Sequence, residues 1–195
     1  MATNTHYGTM HIEWRVYICC WVALQAKRLG ADFIECGVNT GILSRAVMEY
    51  IDFASMSARF YLLDTYNGIP VDDLAEHEAH LASDNAFYPD CYADVLRTFA
   101  PFRNARVIRG RVPDTFDQVE SDRFGYASID MNHVAPELAA GEFLWPRLVS
   151  GAFVILDDYG WRNNFAQKQA WDAFAAEKGV SVLSLPTGQG LLMKP

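Results

Sequence analysis

The sequence lacks a basic patch, a long uncharged apolar run and cysteines at metal-binding spacing. Its 195 residues contain 16 Lys and Arg against 24 Asp and Glu, which gives a formal net charge of −8. Because nucleic-acid binding depends on clustered basic side chains, this balance argues against a nucleic-acid partner. The apolar run 16–24 is bracketed by Arg15, Lys27 and Arg28 too closely for a membrane span, so no membrane partner is expected.

The cysteines also show no pattern of a disulfide framework. They are Cys19, Cys20, Cys36 and Cys91, and the adjacent pair is poorly placed for an ordinary disulfide. The amino terminus shows no secretory signal pattern. We therefore expect buried, reduced thiols and a cytoplasmic protein.

What is present is an alternation of strand-like and helix-like segments. Strands are predicted at residues 32–36, 59–63, 106–109, 124–130, 152–158, 180–185 and 190–193. Helices are predicted at residues 11–29, 42–51, 91–99, 113–119, 136–148 and 164–178. This order is typical of a doubly wound α/β sheet that ends in a hairpin. We expect one domain, with an amino-terminal arm and helix over 1–29, a core over 30–195, and an insertion over 72–86 near the site.

Carboxylates follow two of the predicted strands, at the point where each strand ends. Asp130 ends one strand, and the pair Asp157 and Asp158 ends the next. In open α/β sheets ligands bind at the carboxyl ends of the strands, so these acids should share one crevice. Three converging carboxylates repel one another unless a cation lies between them, which indicates a site for Mg²⁺ or a similar ion. The alternative is a set of solvated or helix-capping acids. Asn132 offers a further neutral oxygen ligand.

A histidine lies in the same predicted loop as Asp130. His133 follows it by three positions, and a neutral imidazole there is suited to accept a proton near neutral pH. The alternative is a histidine at the entry of the next helix. His77 and His80 are three apart and can share a helix face, but an acidic, solvated helix explains them equally well.

The first strand is followed by a glycine-containing turn, Glu35-Cys36-Gly37-Val38-Asn39-Thr40-Gly41. Its G-x-x-x-G spacing differs from the dinucleotide fingerprint G-x-G-x-x-G, which disfavours NAD. Taken alone it is a tight turn. Asp64 follows the second strand, where an acid either binds ribose hydroxyls or caps a turn. The glycine turn and Asp64 together favour an adenosyl ligand.

Five segments occur in an order similar to that of class I S-adenosylmethionine-dependent methyltransferases: ECGVNTG, LLDTYNGIP, GRVPDTF, SIDMN and ILDDYGW. The sequence most closely resembles the macrocin-type and aminocoumarin-type sugar O-methyltransferases, over residues 30–195. This resemblance implies a Rossmann-like fold whose mostly parallel sheet of about seven strands has an antiparallel last strand.

The resemblance also implies roles for individual residues. The methionine and ribose end of the cofactor is lined by Glu35, Gly37, Asn39 and Gly41. Asp64 binds the ribose hydroxyls, and Gly110 and Arg111 lie near the adenine. The positions that hold Mg²⁺ in the sugar-modifying members are Asp130, Asp157 and Asp158, and Asp130 also belongs to the cofactor-contacting and catalytic sets.

This sequence departs from the family pattern at one catalytic position. The sugar-modifying members carry an acid two residues after the first metal ligand, where this chain has Asn132. His133 is one candidate replacement, as metal-dependent catechol O-methyltransferases place their base three residues after that ligand, and solvent acting through Asn132 is the alternative.

We therefore expect an Mg²⁺-dependent O-methyltransferase that uses S-adenosylmethionine and acts on a hydroxyl of a sugar or small polyol. Two alternatives stay open: a cofactor-binding protein with lost or altered catalysis, and a metal-dependent hydrolase. Aromatic residues near the amino terminus, which we expect to be exposed, favour a homodimer.

Overall fold

The computed structural model describes residues 12–161 and 164–195. Its centre is a seven-stranded sheet with the spatial order β3-β2-β1-β4-β5-β7-β6. The strands are β1 (Asp32–Cys36), β2 (Phe60–Asp64), β3 (Ala105–Arg109), β4 (Phe124–Ile129), β5 (Leu148–Leu156), β6 (Leu183–Ser184) and β7 (Gly190–Met193). Strands β1 to β5 pair in parallel, whereas β7 is antiparallel to β5 and β6 to β7. The predicted fold class is confirmed.

In the described part of the chain, five α-helices cover the two faces of the sheet. They are α1 (Glu13–Ala26), α2 (Ile42–Tyr50), α3 (Tyr92–Phe99), α4 (Val134–Leu144) and α5 (Phe165–Glu177). Successive residues of a strand point to opposite faces, so Phe33 of β1 joins the core under α1, α2 and α3, while Ile34 joins the core under α4 and α5. Burial on both faces explains why the strands are apolar runs without alternation.

The predicted helix boundaries differ most around Pro146. The predicted helix 136–148 begins earlier, at Val134, and ends at Leu144, followed by a 3-10 turn at Trp145–Arg147. Proline lacks the N–H that a helix interior needs, so the α-helix ends before Pro146. The predicted helix 113–119 is a 3-10 segment at Asp114–Gln118.

The insertion expected over 72–86 forms two 3-10 helices, Val71–Asp73 and Glu76–Phe87. Residue 11, where the first helix was predicted to begin, and the predicted arm lie outside the described residues.

All four cysteines are buried and unpaired, as predicted. Within 12–161 and 164–195, no helix is both long enough and apolar enough to cross a membrane.

The parallel pairing aligns four strand ends at one edge of the sheet. The Gly37 amide donates to the Leu63 carbonyl at 2.8 Å, the Asp130 amide to Cys36 at 2.8 Å, and the Asp157 amide to Ile129 at 3.0 Å. Since β2 and β4 flank β1, the chain winds in opposite directions from this point and leaves a crevice beyond β1 and β4. This crevice holds most of the predicted site residues.

Candidate active site

The glycine turn after β1 contacts the end of β4 directly. Gly37 has φ +89°, and a Cβ added to it would lie 1.7 Å from the Asp130 carbonyl oxygen. A side chain therefore cannot be accommodated without moving one of the two loops. The predicted cofactor turn and the first predicted metal ligand are thus in van der Waals contact through their backbones.

Asp64 organises the same turn from the end of β2. Its Oδ2 accepts hydrogen bonds from the amides of Val38 at 2.7 Å and Asn39 at 2.8 Å, and its Oδ1 accepts one from Tyr66 at 2.5 Å. Asp64 therefore caps the glycine turn after β1, and its contact with Tyr66 also caps the start of the turn toward Asn67 and Gly68. Asp64 as a residue is half-buried, so part of it is accessible from the crevice.

Glu35 lies beneath the turn in the last part of β1. Its side chain is buried and accepts a hydrogen bond from the Ser44 hydroxyl of α2. Burial, together with the nearby carboxylates of Asp157 and Asp64, raises the pKa of Glu35 well above its usual value. Asn39, with φ +48°, and Gly41, with φ +83°, complete the turn and lead into α2.

Gly110 and Arg111 follow β3, at the outer end of the crevice. The Gly110 amide donates to the Asp64 carbonyl at 2.9 Å, which ties this loop to the end of β2. The Arg111 guanidinium forms ion pairs with Asp72 at 3.6 Å and Asp73 at 3.4 Å. Arg111 therefore connects the β3 end to the insertion.

The structure brings the three predicted metal ligands together. Oxygens of Asp130, Asp157 and Asp158 all lie within 4.8 Å of one another, with Asp157 buried and the other two half-buried. Carboxylate oxygens are hard ligands, so the residues present fit Mg²⁺ or a similar divalent cation. Desolvation and the two neighbouring acids raise the pKa of Asp130 well above its usual value. Burial also raises the pKa of Asp157, to about 6.

A side-chain cation that sequence reasoning missed lies on this cluster. The Arg15 guanidinium of α1 forms an ion pair with Asp157, a 2.9 Å hydrogen bond to Asp158 Oδ1, and a hydrogen bond to the Asp157 carbonyl oxygen. It also lies 5.7 Å from the ring centroid of Trp161. The signal in the sequence was one arginine in the first turn of a mostly apolar helix.

His133 precedes α4, and its ring is almost completely buried. Its Nδ1 lies 2.8 Å from the carbonyl oxygen of Met131. Because a carbonyl oxygen only accepts, Nδ1 is the donor in this contact, so in the neutral ring the lone pair is on Nε2. That Nε2 is buried and has no hydrogen-bond partner among the described residues.

Glu137 supports the loop that carries Asp130 and His133, and sequence reasoning also missed it. Its Oε1 accepts hydrogen bonds from the Met131 amide at 3.3 Å and Gln167 Nε2 at 2.7 Å, and its Oε2 accepts one from Trp171 Nε1 at 2.9 Å. Burial raises the pKa of Glu137 to about 8. This side chain therefore joins the loop to α4 and α5.

The insertion is attached to the same loop through Glu78. Its buried carboxylate accepts hydrogen bonds from the Val134 amide at 2.8 Å and the Ala75 amide at 3.0 Å, and so caps the first turn of α4 from another part of the chain. His77, His80 and Asn132 line a common cavity of about 20 Å³ at this contact, room for about one water molecule. A larger cavity of about 390 Å³ lies along the edge strand β3 and contains none of the predicted site residues.

Comparison with known proteins agrees with this architecture. The family model for macrocin-O-methyltransferase (TylF) matches residues 18–183. The O-methyltransferase NovP is 19% identical, with a TM-score of 0.79 over 92% of this chain and 79% of that one. CalS11, a TDP-rhamnose 3′-O-methyltransferase of calicheamicin biosynthesis, is 14% identical, with a TM-score of 0.68 over 94% and 80%.

A caffeoyl-CoA O-methyltransferase-like protein from Staphylococcus aureus is 16% identical, with a TM-score of 0.58 over 91% of this chain and 83% of that one. At these identities the likeness concerns the fold. No curated protein matches the sequence.

Proposed function

Because the chain belongs to the macrocin-O-methyltransferase family and is an O-methyltransferase, we propose that it methylates a hydroxyl of a sugar or small polyol of natural-product type. S-adenosylmethionine is the methyl donor, and Mg²⁺ or a similar cation takes part. The observation that carries the proposal is the contact between the glycine turn at Gly37 and the Asp130 backbone. Through this contact, the turn proposed to bind the cofactor lies beside the acid cluster of Asp130, Asp157 and Asp158, at the edge of the sheet where the strands end. CalS11, of similar fold, acts on TDP-rhamnose, which supports a sugar acceptor.

In this proposal the turn side of the crevice binds the cofactor. Glu35, Gly37, Asn39 and Gly41 line its methionine and ribose end, and the accessible part of Asp64 accepts from the ribose hydroxyls. Gly110 and Arg111 lie at the outer end of the crevice and contact the adenine. The amides of the turn donate hydrogen bonds to Asp64, and these bonds hold the turn in place before the cofactor binds. The turn therefore loses little conformational entropy on binding.

The acid side binds and deprotonates the acceptor. Asp130, Asp157 and Asp158 would hold the cation, which would supply Lewis-acid polarisation of the acceptor hydroxyl. His133 Nε2 accepts the hydroxyl proton, since it carries the free lone pair. The acceptor oxygen forms a bond to the methyl carbon as the carbon–sulfur bond breaks, leaving S-adenosylhomocysteine. Asn132 orients the acceptor, because an amide can donate and accept but is not a useful base.

A transfer assay with labelled S-adenosylmethionine tests this proposal. The purified protein is incubated with nucleotide sugars and simple polyols, with Mg²⁺ or with EDTA. Asp157→Asn is expected to lower kcat about 100-fold or more while S-adenosylhomocysteine affinity stays unchanged, because stabilisation of the reacting oxygen is lost. The exposed Asp122 is the site of the matched control, Asp122→Asn, which should behave as the wild type.

Two results would contradict the proposal. Tight cofactor binding without transfer to any hydroxyl acceptor would instead indicate a binding protein. Transfer that survives both EDTA and Asp157→Asn would remove the metal from the mechanism.

Two further parts of the proposal concern the setting of the enzyme. The four unpaired thiols support a reducing compartment such as the cytoplasm.

Trp14, Tyr17 and Trp21 recur along one side of α1 and are 67%, 54% and 45% exposed, which supports a homodimer formed through this helix. Light scattering of the wild type and of Trp14→Ser measures this directly, and an unchanged mass would contradict it.

A further inference from the structure

Arg15 binds the same carboxylates that the proposed function assigns to a divalent cation. Its Nη2 pairs with Asp157 Oδ2 and with Asp158 Oδ1, the latter at 2.9 Å. Its side chain is 11% exposed, so this is a partly desolvated contact. From this geometry we infer that Arg15 is a built-in competitor of the cation, and that the cation binds only when the guanidinium leaves. The inference rests on the proposed function.

The competition follows from the occupancy of Asp157. Its Oδ1 accepts a hydrogen bond from Gln189 Nε2 at 2.7 Å, and its Oδ2 is paired with Arg15. Both oxygens are therefore engaged inside a buried site. A cation that approaches this carboxylate repels the guanidinium but not the neutral amide of Gln189, so Arg15 is the partner that is displaced. Gln189 then keeps Asp157 oriented with or without the cation.

The position of Arg15 on α1 allows it to leave. The later part of the helix is anchored, since Cys19, Val22 and Ala26 are fully buried. The first turn is different, because Trp14 and Tyr17 on either side of Arg15 are mostly exposed. A change of the Arg15 side-chain rotamer takes the guanidinium off the two carboxylates while the helix stays packed on the sheet, and this needs no movement of Trp14 or Tyr17, the residues proposed for the dimer contact.

This arrangement has two consequences for the protein. Without a cation, Arg15 neutralises part of the charge of the acid cluster and so stabilises the fold. When a cation binds, the Arg15 contacts must first break, so the favourable free energy of cation binding is reduced by the free energy of those contacts. The apparent affinity for the cation is therefore set by α1 as well as by the three aspartates.

Mn²⁺ binding to Arg15→Gln, measured by calorimetry and by electron paramagnetic resonance, tests the inference. Removal of the guanidinium is expected to tighten Mn²⁺ binding about tenfold or more, the effect of one opposite charge within bonding distance of a carboxylate. Arg15→Lys keeps the charge but not the paired geometry, and should give an intermediate affinity. Arg28→Gln is the matched control: the exposed Arg28 contacts only the Gln25 side chain among the bonds described, and its loss should leave Mn²⁺ affinity unchanged.

Thermal unfolding gives a second readout that needs no activity. Without metal, Arg15→Gln should melt below the wild type, because the acid cluster then lacks its partner. With saturating Mn²⁺ this gap should close, since the loaded wild type no longer uses the contact. A gap that stays constant with added metal would overturn the competition.

The outcomes separate this inference from the proposed function. Equal or weaker Mn²⁺ binding by Arg15→Gln would overturn the competition and leave the metal role intact. Binding by Arg15→Gln but not by the wild type would support the competition. No Mn²⁺ binding by any variant, together with transfer that resists EDTA, would overturn the metal part of the proposed function and the inference with it.

Discussion

The two sides of the crevice satisfy their carboxylates in different ways. On the turn side, Asp64 is bonded by backbone amides of Val38, Asn39 and Tyr66, which the chain cannot withdraw without unfolding the turn. On the acid side, Asp157 and Asp158 are bonded by Arg15, a side chain more than 140 residues away. Backbone donors make a site that is preorganised, whereas a long side chain makes one that can exchange its partner. The comparison suggests a fixed cofactor side and an adjustable acid side.

Disrupting the backbone contact between the turn side and the acid side is expected to cause the largest loss of stability. Gly37→Ala places a Cβ against the Asp130 carbonyl at a positive φ, and should cost about 4 kcal/mol or more of unfolding free energy. The matched control is Gly30→Ala, at φ +60° with no atom within 4 Å of the added Cβ, which should cost only about 1–2 kcal/mol. Denaturant unfolding measures both. Similar losses in the two variants would show that the contact between the turns is not tight.

The acid side should also show the stronger pH dependence, through Glu137. Its folded pKa of about 8 lies above the ordinary value, so the protonated carboxyl stabilises the fold and this contribution is lost as the pH rises toward 8. Relative to Glu137→Gln, the wild type should lose about 3 kcal/mol of stability between about pH 5 and pH 8. Unfolding at several pH values gives this difference.

Glu142 provides the control for this prediction. It lies on the same helix but is exposed, so Glu142→Gln should show no such trend relative to the wild type. A wild-type curve parallel to that of Glu137→Gln would mean that Glu137 stays ionised across this range.

Asp64→Ala sharpens the comparison by disabling the turn side alone. The variant leaves three amides without their acceptor, and S-adenosylhomocysteine should bind about 100-fold more weakly. Affinity for Mn²⁺ should change less than about threefold, because the acid cluster keeps its own contacts. Calorimetry with each ligand separates the two effects, with Asp122→Ala as control. A parallel loss of both affinities would show that the two sides are not independent.

The smallest loss of stability is expected at the insertion, which Glu78 attaches to the start of α4. Glu78→Gln removes the negative charge that caps α4 and should cost about 1 kcal/mol, felt locally. Amide exchange over 76–87 should then become faster, with little change in the melting temperature. The exposed neighbour Glu76 gives the control, Glu76→Gln. Unchanged exchange in Glu78→Gln would mean that other contacts hold the insertion.

Much of the fold and part of the site were predictable from the sequence because the relevant signals are local. Apolar runs predicted to end at residues 36, 63, 130 and 158 identified four parallel strands, which in the structure end at residues 36, 64, 129 and 156, and parallel strands must end at one edge. Their terminal acids were therefore expected to meet, and they do. The predicted helix 136–148 extends too far at its carboxyl end, because the helix ends at Leu144, before Pro146.

The sequence by itself determined where the strands stop, which residues follow them and which turn needs glycine, since each depends on neighbours a few residues apart. Only the tertiary structure decided which distant side chains complete the site. Arg15, Glu78 and Glu137 reach it from a separate helix, an insertion and the helix after Asp130, and each contact depends on how those elements pack. Periodicity and turn propensity depend only on residues that are close to one another along the chain. They carry no record of a partner 140 residues away, so the cation on the acid cluster became visible only in three dimensions.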